Sequence, residues 1–239
     1  MLQGVRVVLT AYTASFRVPS FVRHQLTLPV PPLSTVYGLL SAAAGRLVFP
    51  EEVEWLAFRC EAEGRGMDLE AIYQFERRRE DEMPRPKSYP KTRTVIQREF
   101  LVFPRLTLYL PSDWRSVWER PRYALLLGRT QDVAAVEQVA EATLEPVEEG
   151  EVEGVLLPRE LIFREAGVPC LLYNLPLAFS AEPHRQPLGM GMFGVVTRAF
   201  RLRAPGWLWQ DRERKVVFPL YRKEWLQRVW PHAFGQDGP

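Results

Sequence analysis

The chain has 239 residues, 46% of them hydrophobic, enough to bury a core as one large domain or two small ones. Its only cysteines, Cys60 and Cys170, form no Cys-x-x-Cys pair, and its 3 histidines are scattered, which argues against a disulfide framework or a zinc site and for a cytoplasmic setting. No basic leader precedes an apolar run and no stretch approaches the roughly 18 apolar residues a membrane helix needs, so neither secretion nor membrane spanning is expected.

Residues 4–13 (GVRVVLTAYT) alternate as a strand, with Val5, Val7, Leu9 and Ala11 on one face and Arg6, Val8, Thr10 and Tyr12 on the other. The Pro-punctuated stretch from Phe16 to Pro32 predicts an extended path. A helix over 34–47 follows, with Ser34 as N-cap and a stripe of Val36, Leu39, Leu40, Ala43, Ala44 and Leu47, ended by Gly45 and Pro50. Residues 53–62 and 68–77 read as strands. The segment 78–93 (RREDEMPRPKSYPKTR) reads as a projecting loop, being charged, proline-rich and poor in apolar residues.

Residues 94–110 are β-rich, with Pro104 marking a bend or an edge, and Ser112 or Asp113 caps a short helix over 112–119. Residues 132–144 complete a βαββαβ order as a strand, although Val133, Val136, Ala140 and Leu144 also fit a helical stripe. From about 150, short apolar runs between Gly and Pro predict a second, mostly β portion. The fold class is α+β, divided into residues 1–147 and 148–239.

Charge is unevenly spread beneath a net +2. Residues 130–158 hold eight acids, Asp132 to Glu153, and no Lys or Arg, so the remainder carries 31 bases against 21 acids. That polarity suits a polyanion on the basic body and a protein neighbour or solvent on the acidic segment.

Four groupings could carry chemistry. The start of the 34–47 helix is an anion site in principle, since its first N–H groups lack intrahelical acceptors and its dipole is positive there. Ser34 and Thr35 could add hydroxyl donors, with Arg17 and Arg23 upstream. The same residues also read as a plain cap and a stiffened turn. Between Met83 and Arg98 lie Arg85, Lys87, Lys91, Arg93 and Arg98 with Tyr89 and no acid, a pattern for phosphate neutralisation and base stacking, or for a solvated loop. Gly189 to Gly194 spells G-x-G-x-x-G, and Asp211 follows at a suggestive distance. The stretch precedes VVTRAF, a strand, so a dinucleotide site is rejected in favour of a glycine-rich loop. The Trp- and Arg-rich run from Trp207 to Trp225 reads as core or a protein interface.

The ordered string Phe16-Arg17, then Pro31-Pro32-Leu33-Ser34-Thr35-Val36-Tyr37-Gly38-Leu39-Leu40, then Ala43-Ala44-Gly45 resembles the N-terminal signature of the Cas-five family of CRISPR-associated RAMP proteins. Leu127-Gly128-Arg129-Thr130-Gln131-Asp132 is similar to that family's LGR-S/T turn. The resemblance implies a ferredoxin-like, RRM-related βαββαβ domain with an inserted β-hairpin thumb at about 75–100, plus a smaller C-terminal antiparallel β domain. It further implies a non-catalytic subunit of a type I Cascade, subtype I-B preferred, that binds the 5′ handle of CRISPR RNA. A backbone subunit and a large subunit would be its neighbours, and target DNA would be met only through the complex.

On these lines the RNA-binding residues expected are Arg17, Arg23, Ser34, Thr35 and Tyr37, then Arg85, Lys87, Tyr89, Lys91 and Arg93, then Gly128, Arg129 and Thr130. No cofactor, metal or catalytic residue is expected. The alternative is an I-C-like metal-independent endoribonuclease, a branch that uses a tyrosine, a lysine and a histidine beside that lysine. Here His24, His184 and His232 each lack an adjacent lysine, and no general acid/base pair stands out.

Overall fold

A computed structural model describes residues 1–19, 21, 24–73, 93–163, 167–181 and 185–229. β1 (Leu2–Ala11) is rich in β-branched residues and lies inside the main sheet. The proline-punctuated stretch continues as four short strands, β2 (Thr13–Ala14), β3 (Phe16–Arg17), β4 (His24–Gln25) and β5 (Thr27–Leu28), with β3 antiparallel to β5. α1 (Leu33–Ala44) follows. It ends where Gly45 turns left-handed at φ 74° and donates its N–H to the Ser41 carbonyl at 2.9 Å. The helix therefore stops short of Leu47, which is 39% exposed instead of joining the buried stripe.

β6 (Trp55–Glu61) leads into a long hairpin, β7 (Gly64–Tyr73) and β8 (Arg93–Val102). Its connecting segment, and with it most of the projecting loop expected at 78–93, lies outside the described residues. Pro104 does mark a bend, between β8 and β9 (Arg105–Pro111); beside it Phe103 has a φ of 47° and donates its N–H to the Tyr12 carbonyl. A 3-10 turn at Ser112–Trp114 precedes α2 (Arg115–Glu119), then β10 (Leu125–Leu126).

β11 (Val133–Val152) is a single strand, so the helical stripe through Val133 and Leu144 is not realised. Its early part pairs with β1 and its late part with β15 (Phe200–Asp211), with a register shift between Val147 and Glu149. The boundary expected at 147/148 thus falls inside a continuous strand. β12 (Val155–Pro158), α3 (Arg159–Ile162), β13 (Leu171–Phe179) and β14 (Pro187–Val196) precede β15; β16 (Val217–Pro219), β17 (Tyr221–Arg222) and α4 (Lys223–Val229) follow it. The glycine-rich 189–194 stretch is strand β14, paired with β12 and β13, rather than a loop.

The main sheet runs β16-β15-β11-β1-β9-β6-β17, with β10 also paired to β11. Its centre, β11-β1-β9-β6, is antiparallel throughout. α1 lies between β1 and β6 in chain order, the β7–β8 hairpin between β6 and β9, and α2 between β9 and β11. Around Leu220 the chain itself passes from one edge of the sheet to the other, and β16 comes against β6, so the sheet curls nearly into a barrel.

Both faces of the sheet are therefore buried. Val5, Val7 and Leu9 face α1, α2 and the β12–β14–β13 sheet in one core. A second core fills the inside of the curl with Trp55, Tyr109, Leu144, Leu208 and Phe218. This is why Arg6, on the polar face of β1 by alternation, is only 2% exposed. The C-terminal aromatics belong to the same packing: Trp209, Tyr221 and Trp225 are buried, and the Tyr221 hydroxyl donates to the Leu156 carbonyl.

Candidate nucleic-acid interface

α1 begins two residues earlier than Ser34 as N-cap suggests. Its N-cap is Pro32, in an extended conformation, and no side chain caps the helix; the Pro32 carbonyl takes the Thr35 and Val36 N–H groups at 2.9 and 3.3 Å. Ser34 is thus the second helical residue, 8% exposed, with Thr35 half-buried beside it. The N–H groups of Leu33 and Ser34 precede any intrahelical acceptor, which keeps the electropositive character of this end.

Tyr37 does not belong to a surface. Its ring is 2% exposed in the core, and desolvation, with the nearby Glu51 charge, pushes its hydroxyl far above the usual tyrosine range. Its Oη and the Glu51 Oε2 atom are both buried without a hydrogen-bond partner among the described residues. The helix is enclosed by the main sheet, β13 and α2, so burial wraps further round it than the sequence stripe indicated.

The Gly128–Thr130 turn is held by backbone contacts. Ser15 N–H donates to the Leu127 carbonyl at 2.9 Å, and Leu127 N–H to the Asp132 carbonyl at 2.8 Å. Gly128 has a φ of 117°, and a Cβ there would lie 2.0 Å from the Ser15 carbonyl oxygen. Only glycine fits. Gly128 and Thr130 are exposed at the turn surface. Arg129 is different: its side chain is 9% exposed and points inward onto carboxylates. Asp132, itself 0% exposed, accepts from the Arg129 backbone N–H, Nε and Nη2, each at 3.0 Å, and from Thr13 Oγ1 at 2.6 Å. Arg129 is accordingly an internal ion-pair partner here rather than a free phosphate contact.

The hairpin places Arg98 opposite Asp68 in register, and the Arg98 guanidinium pairs with Glu70 at 2.7 Å. Arg65 pairs with Glu99 at 3.1 Å. Met67, Leu69, Tyr73 and Val95 share the opposite face from Glu70 and are about half exposed, an apolar strip along the hairpin, whose β8 strand also pairs with β2 and β4. Arg23, Arg85, Lys87, Tyr89 and Lys91 lie outside the described residues, and of Arg93 only the backbone, at the start of β8, is described.

The separate motif segments nevertheless meet. Ser15, ahead of Phe16-Arg17, bonds the 127–132 turn through its N–H and the Glu99 carbonyl through Oγ. The Glu99 carboxylate accepts the N–H of Thr27, and Thr27 Oγ1 accepts that of Phe16. Thr27 lies in β5, just before the prolines that open α1. Arg17 is exposed at the edge of this junction. A cleft of about 530 Å³ opens beside it, lined by Pro29, Val30, Arg65, Gly154 and Arg198 among others.

Sequence reasoning missed the buried ionic cluster inside the curled sheet. Arg6 Nη1 meets Asp211 at 2.7 Å and Arg6 Nη2 meets Glu213 at 2.8 Å, while the Tyr109 hydroxyl donates to Asp211 at 3.1 Å. Asp211, noted only for its distance from a glycine motif, also takes the N–H groups of Glu213 and Arg214. Its signal was a lone arginine in an otherwise apolar strand. Among the described residues no group of three His, Cys, Asp or Glu is placed to hold a metal, and no helix is long and apolar enough to cross a membrane.

The sequence matches no family model and no curated protein. Solved structures do resemble it. One is a chain of a CRISPR RNA-guided surveillance complex, 18% identical, with a TM-score of 0.52 over 85% of this chain and 91% of that one. Another is a CRISPR protein from Archaeoglobus fulgidus, 10% identical, TM-score 0.48, covering 92% of this chain and 100% of that one. A third belongs to a type III-B Cmr-beta complex bound to cognate target RNA, 9% identical, TM-score 0.49, over 83% and 86% of the two chains. At these identities, what the first overlay shows is a shared fold.

Proposed function

We propose that the chain is a RAMP-type subunit of a CRISPR RNA-guided surveillance complex, of the Cas-five family, that holds the 5′ handle of the guide RNA without cutting it. The observation that carries this is the arrangement of β11-β1-β9-β6 as fourth, first, third and second strands, all antiparallel, with helices after the first and third and a hairpin inserted after the second. That order supports reading this part of the chain as a ferredoxin-like domain bearing a thumb. The overlay on a chain of a surveillance complex supports the same reading.

The handle would lie at the junction of β3, the 127–132 turn and the start of α1. There Arg17 supplies charge, the Leu33 and Ser34 N–H groups and the Thr35 hydroxyl supply donors, and Gly128 and Thr130 offer a surface with little side chain. The hairpin, with its basic connecting segment, would reach the backbone subunit, and the large subunit would sit on the body. Type I-B remains the preferred setting.

The test uses the purified full chain and labelled RNA carrying the repeat-derived handle, compared with RNA whose 5′ segment is scrambled. Handle-dependent retention that weakens linearly in log affinity with log salt is expected. Equal retention of both RNAs would overturn handle recognition. Site-specific cleavage without metal would replace the binding-only reading with the endoribonuclease one.

A further inference from the structure

We infer that Arg129 is a positioning residue: it acts as a strut that sets the angle of the β7–β8 hairpin against the body. The inference deepens the proposed handle-binding function and rests on it only where RNA is involved.

One end of the guanidinium is fixed to the body. Asp132 is fully buried and takes three bonds from Arg129, and it is held in turn by Thr13 in β2, the short strand that pairs with β8. The other end reaches the hairpin. Arg129 Nη1 lies 3.4 Å from Asp68 and 3.3 Å from Glu70, and its guanidinium carbon sits 5.3 Å from the Phe100 ring centre. These three hairpin residues share one face by register, Asp68 and Glu70 on β7 and Phe100 on β8. Gly66, directly opposite Phe100, makes room for the ring, because a Cβ there would lie 2.4 Å from it. A flat, five-donor fork suits this two-sided grip, whereas an ammonium could not serve both sides at once.

The occupied donors speak against a phosphate contact. A guanidinium that is 9% exposed and surrounded by three carboxylates has little to offer an incoming anion. The body-side bond is dry and the hairpin-side bonds are partly wet, with Asp68 46% and Glu70 25% exposed. The strut therefore yields first at the hairpin, and its loss loosens the β7 side of the hairpin while the turn and the pairing of β8 with β2 and β4 stay in place.

The experiment compares wild type, Arg129→Lys and the double variant Asp68→Asn/Glu70→Gln, the last leaving the turn and Asp132 intact, with Arg98→Gln as the control for the Arg98–Glu70 pair that the double variant also removes. Hydrogen exchange of the free full chain is read at residues 64–70 and 97–102. Each partly exposed ion pair shifts an opening equilibrium roughly twofold to fivefold, so exchange in the double variant should rise about four- to twenty-five-fold. Arg129→Lys should move in the same direction. With handle RNA, both variants should bind more weakly while the slope of log affinity against log salt stays at the wild-type value. A slope shallower by about 0.7 in a third variant, Arg129→Ala, which removes the charge, with hairpin exchange unchanged, would make Arg129 a phosphate contact and overturn the strut. Unchanged exchange in the double variant would overturn it as well. Should wild type fail to hold handle RNA, the proposed function falls, and the exchange arm still decides the strut.

Discussion

Asp211→Asn should be among the most damaging single-atom exchanges in this chain. Its carboxylate is 0% exposed and bonded to an arginine 2% exposed, so removing the negative charge strands the positive one inside the curled sheet. Breaking such a pair costs about 3–5 kcal/mol, and the lower end applies because Glu213, 2.8 Å from Arg6, remains as a second partner. About 3 kcal/mol corresponds to a fall in Tm of roughly 6–12 °C for a chain of this size. Thermal and urea unfolding of the purified chain would read it. The charge-free double variant Arg6→Met/Asp211→Leu should recover most of the loss, since neither buried charge is then uncompensated. Desolvation opposes ionisation of Asp211, yet the bonds from Arg6, the Arg214 N–H and Tyr109, with the Arg6 charge, hold its pKa below the ordinary carboxylate range. A lowered folded pKa means the stabilisation is full above the unfolded value of about 3.9 and is lost as pH falls through the lower folded value. The wild-type advantage over Asp211→Asn should therefore be flat near neutrality and shrink only in acid. A loss below about 1 kcal/mol near pH 7 would refute the view that this pair is buried and unsolvated.

Gly128→Ala should cost at least about 3 kcal/mol in denaturant unfolding, because the new Cβ meets the Ser15 carbonyl at 2.0 Å in a backbone conformation closed to L-residues; a cost under about 1 kcal/mol would show that the turn can rearrange. Replacing Arg85, Lys87, Lys91 and Arg93 together by Glu should weaken retention of handle RNA and flatten its salt dependence by about 0.7 for each phosphate no longer neutralised, measured by filter binding across a salt series; unchanged retention would remove this basic segment from the mechanism.

Features set by local chemistry were legible in the sequence. β1, the body of α1 and the bend at Pro104 follow from side-chain period and from proline, and each appears close to where those rules put it. Ser34 misled because caps compete: the extended Pro32 already starts the helix and leaves Ser34 inside it. What depends on distant partners was not legible. Arg6 and Asp211 are 205 positions apart, and nothing near either residue announces the other. Arg129 has one partner nearby, Asp132 three residues on, but its enclosure was not legible, because Asp68 and Glu70 are about sixty positions away on a strand whose register turns both carboxylates towards it. Tyr37 failed for the same reason, since the sequence stripe could not show how far distant elements such as β13 enclose the helix.

The acidic run has a different meaning in three dimensions from the one it has in a line of letters. Along β11 and just past its end, arginines on neighbouring elements answer the acids: Arg105 meets Glu137, Arg115 meets Glu141, Arg201 meets Glu149, Arg203 meets Glu148 and Arg59 meets Glu153. Exposed pairs of this kind add little stability, but they cancel the field of the strand at short range. The segment therefore does not present a bare acidic face to a protein neighbour. The same pairing takes these arginines out of the supply available to a polyanion. What remains for a nucleic acid are bases without a carboxylate set against them, and among the described residues Arg17, exposed at the junction of the motif segments, is well placed for that role. Phosphate contacts, whether from Arg17 or from the basic segment around residues 85–93, carry no sequence information, so the contrast between handle and scrambled RNA is a sharper measure of function than total affinity.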